Sequence, residues 1–275
     1  MGLFLLGVHP IAFHYGPFVV RWFSIMLILA FSASIWTAYW RSQSEPMGPK
    51  AMSDMFPWII FGTLCGAHVV YVIGYSTAVT KVDFVLQIIK VWQGGFVFYG
   101  GLFGGCLTVL IFSNLKRLRF WSIMDILAPS MVLGSAVGRV GCFLNGCCYG
   151  KPSSLPWAVC YPEGHETHPY GYSATAVHPT QIYEISLELG LYIALEMLYK
   201  HKRFNGQVFC TYLIAYSILR AFVEIFRGDY PVGTLLIGEI TPGQVDSILA
   251  LGLGMACLYS LRHVRDSNPQ TKPAR

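Results

Sequence analysis

The chain has 275 residues, of which 54% are hydrophobic and only 12% are charged, and its formal net charge is +5. A typical soluble domain carries about 25% charged residues. The composition therefore excludes an ordinary soluble protein and indicates an integral membrane protein. The positive charge comes from lysines and arginines that gather in alternate loops, so we expect membrane lipids and no nucleic acid as partners.

Apolar segments recur along nearly the whole chain, each close to the roughly 20 residues that cross the hydrocarbon of a bilayer. We predict an all-α membrane protein with seven spans, at about 17–39, 56–75, 95–114, 121–142, 179–199, 207–226 and 242–261. They form a single polytopic domain over residues 1–275, with a small outer head region at about 143–178 between spans four and five.

The distribution of basic residues predicts the orientation of the chain. The loops after spans one, three and five, and the C-terminal tail, hold most of them. By the positive-inside rule these regions face the cytoplasm, which places the N-terminus outside and the C-terminus in the cytoplasm. Four arginines at or within the outer ends of spans have no topological role: Arg21, Arg139, Arg220 and Arg227.

Residues 137–151, VGRVGCFLNGCCYGK, place Arg139 at the end of a long apolar segment. A guanidinium cannot be deprotonated in a protein, and beside hydrocarbon it normally pairs or faces a polar cavity. Gly146 and the other glycines allow a tight turn or the close approach of a ligand, and Asn145 adds hydrogen-bonding groups. The alternative is a glycine-lined helix contact with a snorkelling arginine.

Span six carries a second charged cluster. Arg220, Glu224 and Arg227 are four and three residues apart, so they share one face of a helix. One carboxylate between two guanidiniums leaves one positive charge over, which suits a phosphate. The alternative is an ion network that satisfies itself between helices.

Span five begins with a polar stripe that should face the bundle interior. Its members recur at three- and four-residue spacing: His178, Gln181, Glu184 and Glu188. For Gln181 and Glu184, helix capping and interhelical hydrogen bonding are the alternative to a functional role.

Two further residues are candidate proton acceptors. His68 lies near the outer end of span two, and histidine has a reference pKa of about 6.5, although a hydrogen-bonded core histidine explains it equally well. Tyr99 is the only titratable side chain of QGGFVFYGGLFGG, at the start of span three. An interfacial aromatic between packing glycines is at least as good an interpretation of it.

Four of the eight cysteines lie inside apolar spans and behave as small hydrophobic residues. The others, Cys142, Cys147, Cys148 and Cys160, lie at the outer boundary or in the outer loop, where disulfides can form. The spacing C-x4-C-C-x11-C is not standard for zinc. We therefore predict a disulfide between the Cys147–Cys148 pair and Cys160, and no bound metal.

Three motifs give the chain a family resemblance over most of its length, to bacterial prolipoprotein diacylglyceryl transferases. The family signature G-R-x-G-N-F-x-N-G-E stands at 138–147 as GRVGCFLNGC. The family motif H-P-[ST]-Q-x-Y-E is intact from His178 to Glu184. The motif Y-x-x-x-R-x-x-x-E-x-x-R is intact from Tyr216 to Arg227.

The resemblance implies a seven-span enzyme of the bacterial inner membrane that needs no cofactor. Its reaction moves a diacylglyceryl group from phosphatidylglycerol to the lipobox cysteine of a preprolipoprotein and releases glycerol phosphate. Arg139 and Arg220 would stabilise the departing phosphate oxygen while Glu224 holds the arginines. The remaining motif residues would bind substrate, together with Arg139: Asn145, Gly146, His178, Gln181, Tyr183, Tyr216 and Arg227.

The chain departs from the family at several positions. Cys142 and Cys147 replace the signature asparagine and glutamate, Tyr99 stands at the family histidine often proposed as the base, and His68 stands at a usual arginine. A usual tyrosine is Phe23. Tyr99 and His68 are therefore the base candidates. Two other functions stay open: a transferase with the same donor and another acceptor, and a lipid-binding or lipid-moving protein without catalysis.

Overall fold

The computed structural model describes residues 4–5, 10–16, 18–75, 83, 87–88, 90, 97–161, 175–229 and 240–267. The chain divides into two compact units. One comprises Met1–Thr37 with Met124–Arg275, and the other Ala38–Ile123.

The described residues contain seven helices. They are α1 (Trp22–Ser42), α2 (Gly48–Tyr75), α3 (Phe98–Leu115), α4 (Phe120–Asn145), α5 (Thr180–Lys200), α6 (Gln207–Glu224) and α7 (Pro242–Ser267). Each coincides with a predicted span, although α2 begins about eight residues earlier than expected. Four segments are long and apolar enough to cross a membrane: Trp22–Ser42, Gly48–Gly74, Phe120–Asn145 and Gly243–His263. α3 contains a shorter apolar helix, Gly100–Leu115, and α5 and α6, which carry several charged side chains, also fall outside this group.

Four short strands correct the all-α prediction: β1 (Phe4–Leu5), β2 (Ile11–Tyr15), β3 (Phe18–Arg21) and β4 (Val159–Cys160). β2 and β3 form an antiparallel hairpin whose turn contains Gly16, with a φ of 57°. The first helix therefore begins at Trp22 and not at about 17, because the β-branched and aromatic residues of β3 pair with β2. β1 pairs in parallel with β4.

The region after α4 folds into a small head, as the sequence predicts. Its buried core contains Tyr149, Val159, Tyr161 and Val177, with Phe143 packed against them. Isolated bridges join Gly150 to Arg227, and Val177 to both Pro152 and Val159. These pairings hold residues 146–150 beside the start of α5 and the end of α6.

A buried carboxylate on α4 fixes the other end of α6. Asp125 Oδ1 accepts hydrogen bonds from the backbone N–H groups of Val208 and Phe209, both at 3.0 Å, and its Oδ2 accepts one from Gly206 at 2.9 Å. Lys202 Nζ lies 3.6 Å from Oδ2. The first N–H groups of a helix have no partner within the helix, so Asp125 caps α6 from a neighbouring helix.

In the unit Ala38–Ile123, α2 and α3 pack through glycines. A methyl group added at Gly66 would clash with the carbonyl oxygen of Gly100 and lie 2.9 Å from Gly104 Cα. Small residues allow helix backbones to approach this closely in membranes. The glycine-rich start of α3 therefore lies against another helix.

This contact predicts that Gly66→Ala lowers the thermal unfolding temperature of the detergent-solubilised protein by several degrees. The added methyl meets backbone atoms that cannot move aside, and such overpacking costs about 1–3 kcal/mol. Gly74→Ala, in the same helix, is the matched control, because a methyl group at Gly74 has no neighbour within 4 Å. Equal unfolding temperatures for the two variants would contradict the packing.

Candidate active site

The site is built around the carboxylate of Glu184, which is buried on α5. Arg139 Nε of α4 lies 2.7 Å from Glu184 Oε2, and Arg220 Nη1 of α6 donates to Glu184 Oε1. A buried carboxylate is costly unless it is paired and hydrogen-bonded. Glu184 therefore ties three helices together and brings the two predicted arginines to one point.

A second carboxylate extends the network along α6. Arg220 Nη2 lies 2.8 Å from Glu224 Oε2, and Arg227 Nη1 lies 4.0 Å from the same oxygen. Arg227 Nε in turn pairs with Asp229 Oδ1 at 2.6 Å. The three arginines thus face three carboxylates, because Glu184 and Asp229 join Glu224. The prediction of one surplus positive charge was wrong, because it counted only Glu224, the acidic residue of α6 in this network.

Arg139 keeps part of its guanidinium available. Its Nε is bound to Glu184, whereas Nη1 and Nη2 have no hydrogen-bond partner among the residues that the structure describes. The side chain is 18% exposed. The two Nη groups form the planar fork that binds two oxygens of a phosphate at once.

Glu188 and Tyr216 line the same region. Glu188 lies one turn beyond Glu184 on α5, is buried, and accepts a hydrogen bond from Ser135 Oγ at 2.8 Å. Tyr216 on α6 interacts electrostatically with Glu188 and with both arginines. The polar stripe of α5 is the sequence signal for Glu184 and Glu188, although neither is among the predicted site residues.

His178 and Tyr183 form a separate aromatic group at the start of α5. His178 Nδ1 hydrogen-bonds Tyr183 Oη at 3.2 Å, and Trp157 Nε1 donates to the same oxygen at 2.9 Å. The His178 ring packs against Phe226, with 5.4 Å between ring centroids. Within the described part of the chain, His178 makes no hydrogen bond or ion pair with the arginine network.

The first turn of α5 holds the loop that follows α4. Gln181 Nε2 donates to the Cys147 carbonyl oxygen at 2.7 Å and to Tyr161 Oη at 3.0 Å, and Thr180 Oγ1 donates to the Cys148 carbonyl oxygen at 2.6 Å. Gln181 is fully buried. Its amide nitrogen therefore positions this loop, and its role in substrate binding stays a prediction.

Asn145 and Gly146 end α4 and begin this loop. Gly146 has a φ of 74°, a conformation that favours glycine. The Asn145 side chain hydrogen-bonds the thiol of Cys147. The structure thus places both signature residues directly beside the cysteines that distinguish this chain.

None of the eight cysteines forms a disulfide in the structure, so the predicted disulfide to Cys160 is not formed. The sulfur atoms of Cys142, Cys147 and Cys148 instead lie within 4.8 Å of one another. The chain reverses after α4 and turns the Cys147–Cys148 pair back onto Cys142. Cys160 lies in β4 and is buried outside this group.

The thiol of Cys148 has the most polar surroundings of these three. Arg227 Nη2 lies 3.5 Å from its sulfur. Hydrogen bonds from the thiols of Cys142 and Cys147, together with the charges of Arg227 and Arg139, hold the pKa of Cys148 well below its ordinary value. The loop therefore favours a thiolate at this position.

The two base candidates belong to the unit Ala38–Ile123. His68 is 3% exposed, and its Nε2 hydrogen-bonds the carbonyl oxygen of Gln87 at 3.0 Å. These contacts fit the interpretation of His68 as a core histidine. Tyr99 lies in the first turn of α3, but its side chain is outside the described residues. The choice between them stays a prediction.

Comparison with known proteins identifies the family. The family model described as prolipoprotein diacylglyceryl transferase matches residues 10–260. A phosphatidylglycerol–prolipoprotein diacylglyceryl transferase of Acaryochloris marina is 32% identical over 96% of this chain and 95% of its own length. Proteins of the same name from Nostoc sp. and Nitratidesulfovibrio vulgaris are 31% and 33% identical, covering 96% and 93% of this chain and 93% and 94% of their own lengths. The chain belongs to the prolipoprotein diacylglyceryl transferase family.

Proposed function

We propose that this protein transfers the diacylglyceryl group of phosphatidylglycerol to the lipobox cysteine thiol of a preprolipoprotein. The names of its relatives state this donor and this class of acceptor. The observation in the structure that carries the proposal is Arg139, whose Nε is fixed by Glu184 while its two Nη groups stay available for phosphate oxygens.

The chemistry explains why an oriented guanidinium matters. The acceptor thiolate attacks the glycerol carbon that bears the phosphate, so a carbon–sulfur bond forms as the carbon–oxygen bond breaks. The electron pair stays on the departing glycerol phosphate, which gains one negative charge. Donors fixed in advance at that oxygen stabilise the transition state without reorganisation. Arg139 and Arg220 supply them, while Glu184 and Glu224 hold both side chains in place.

We also propose a single membrane domain whose seven helices all cross the bacterial inner membrane. The N-terminus is then outside and the C-terminus in the cytoplasm, because the basic loops follow spans one, three and five. The arginine network and the head lie toward the outer side in this orientation. That is the side on which the lipobox of an exported protein emerges.

The direct test mixes the purified protein with phosphatidylglycerol and a lipobox peptide. We expect a peptide whose cysteine carries diacylglyceryl through a thioether, detected by mass spectrometry, together with free glycerol phosphate. A peptide with serine in place of the cysteine is the control and should stay unmodified. Consumption of the donor without modification of the peptide would instead indicate another acceptor, and lipid binding without turnover a non-catalytic role.

We predict that Arg139→Lys and Arg220→Lys each lower kcat/KM for the peptide on the order of 100-fold, the effect of removing one oriented donor at a developing anion. Lysine keeps the charge but cannot make a bidentate contact. Arg262→Lys is the control, because Arg262 is exposed on α7. A wild-type rate in the Arg139→Lys variant would exclude a catalytic role for the two Nη groups of Arg139.

The third test concerns the proton of the acceptor. Cysteine has a reference pKa of about 8.5 and is only a few per cent thiolate at neutral pH. We expect either Tyr99→Phe or His68→Gln to lower the rate of thioether formation and to change its pH profile. A change of the pH profile in the His68 variant alone would identify His68 as the base. If both variants keep the wild-type rate and profile, neither residue is the base.

A further inference from the structure

The three thiols at the end of α4 have the spacing of a metal site. The sulfur atoms of Cys142, Cys147 and Cys148 all lie within 4.8 Å of one another. In tetrahedral zinc sites the Zn–S distance is about 2.3 Å, which places two sulfurs about 3.8 Å apart. Small changes of the thiol rotamers would therefore bring all three onto one ion.

The spacing of the three cysteines in the sequence does not predict this site, because the turn after α4 is what brings their sulfur atoms together. Gly146 and Cys148 both have positive φ, of 74° and 62°. This left-handed conformation is unfavourable for cysteine, and it persists where the surroundings impose it. Gln181 and Thr180 impose it here by binding the carbonyl oxygens of Cys147 and Cys148. Such outer contacts orient metal ligands.

Two guanidiniums lie beside the thiol cluster. Three thiolates with one divalent cation would carry a net charge of about −1. Arg227 Nη2 lies 3.5 Å from the Cys148 sulfur, and Arg139 also interacts with this residue. The two guanidiniums thus face a complex of opposite charge.

The described part of the chain supplies three ligands of this kind. No further histidine, cysteine, aspartate or glutamate completes the group within the part of the chain that the structure describes. Structural zinc sites are closed by four protein ligands, whereas catalytic sites have three and an open fourth position. Three thiols beside the arginine network therefore fit a catalytic site with an open fourth position.

We propose that Cys142, Cys147 and Cys148 bind a zinc-class cation whose open fourth position takes the thiol of the acceptor cysteine. This inference rests on the proposed function and replaces the prediction of a site without metal. The acceptor thiol would bind as a thiolate, since a coordinated thiol is deprotonated outright, and its proton would pass to the base residue or, without one, to water. Its sulfur then forms the bond to the glycerol carbon as the phosphate oxygen departs, and the neutral thioether product leaves the metal.

The first experiment measures metal binding without any assay of activity. Protein purified with reductant and without chelator should hold about one zinc per chain, and added Co²⁺ should give the absorption bands of a tetrahedral thiolate complex. Cys147→Ser should weaken Co²⁺ binding at least roughly 100-fold. Cys257→Ser is the control, because Cys257 lies in α7 outside the cluster, and it should bind like the wild type. Thermal unfolding of each variant confirms that it is folded.

The second experiment tests the fourth position on the Co²⁺ protein without lipid donor. A lipobox peptide should strengthen the thiolate-to-cobalt absorption, and the same peptide with serine for cysteine should leave it unchanged. Equal spectra with both peptides would overturn the assignment of the fourth ligand.

Two results would overturn the metal site itself. One is weak Co²⁺ binding that Cys147→Ser leaves unaltered. The other is a disulfide between any two of the three cysteines in protein isolated anaerobically, which mass spectrometry would reveal and which would indicate a redox pair. A failure of the proposed function would appear as absent thioether product while the metal content and the cobalt spectrum stay intact, so the two failures are distinguishable.

Discussion

The pairing of Glu184 with two arginines is the interaction on which the site depends. A carboxylate buried in the bundle is tolerated only with charged partners, and α4 and α6 each supply one, Arg139 and Arg220. Removing one partner would leave a buried charge without compensation, so the three helices are fixed relative to one another. Because Arg139 binds through Nε, the same contact that stabilises the bundle also orients its Nη groups.

Two further sets of contacts position the elements of the site. Asp125 caps the start of α6 and so fixes the helix that carries Arg220 and Glu224. At the opposite end of α4, Thr180 and Gln181 hold the loop that bears the thiols. α4 and α5 thus position both the charged part of the site, which suits the lipid phosphate, and the sulfur-rich part, which suits a soft cation or a second thiol.

Hydropathy and the cost of charge in hydrocarbon were sufficient to predict the helices and the arginines, because both signals are local in the sequence. The charge balance of the site could not be predicted in this way, because it depends on contacts between different parts of the chain. Spacing relates Arg220 to Glu224 on one helix, but it cannot show that Glu184 arrives from α5 or that Asp229 folds back onto Arg227. The thiol cluster depends on the φ angles of Gly146 and Cys148, and the hairpin depends on pairing between β2 and β3.

The departures of this chain from its family pattern have a common chemical meaning. Where the resemblance implies a histidine the chain has Tyr99, whose phenol has a reference pKa of about 10 and accepts protons poorly at neutral pH. Where it implies an asparagine and a glutamate the chain has Cys142 and Cys147. A proton acceptor is thus absent from one position while soft ligands appear at two others. Proton transfer to a base and metal coordination are two routes to the same thiolate, and the proposed metal site is the second.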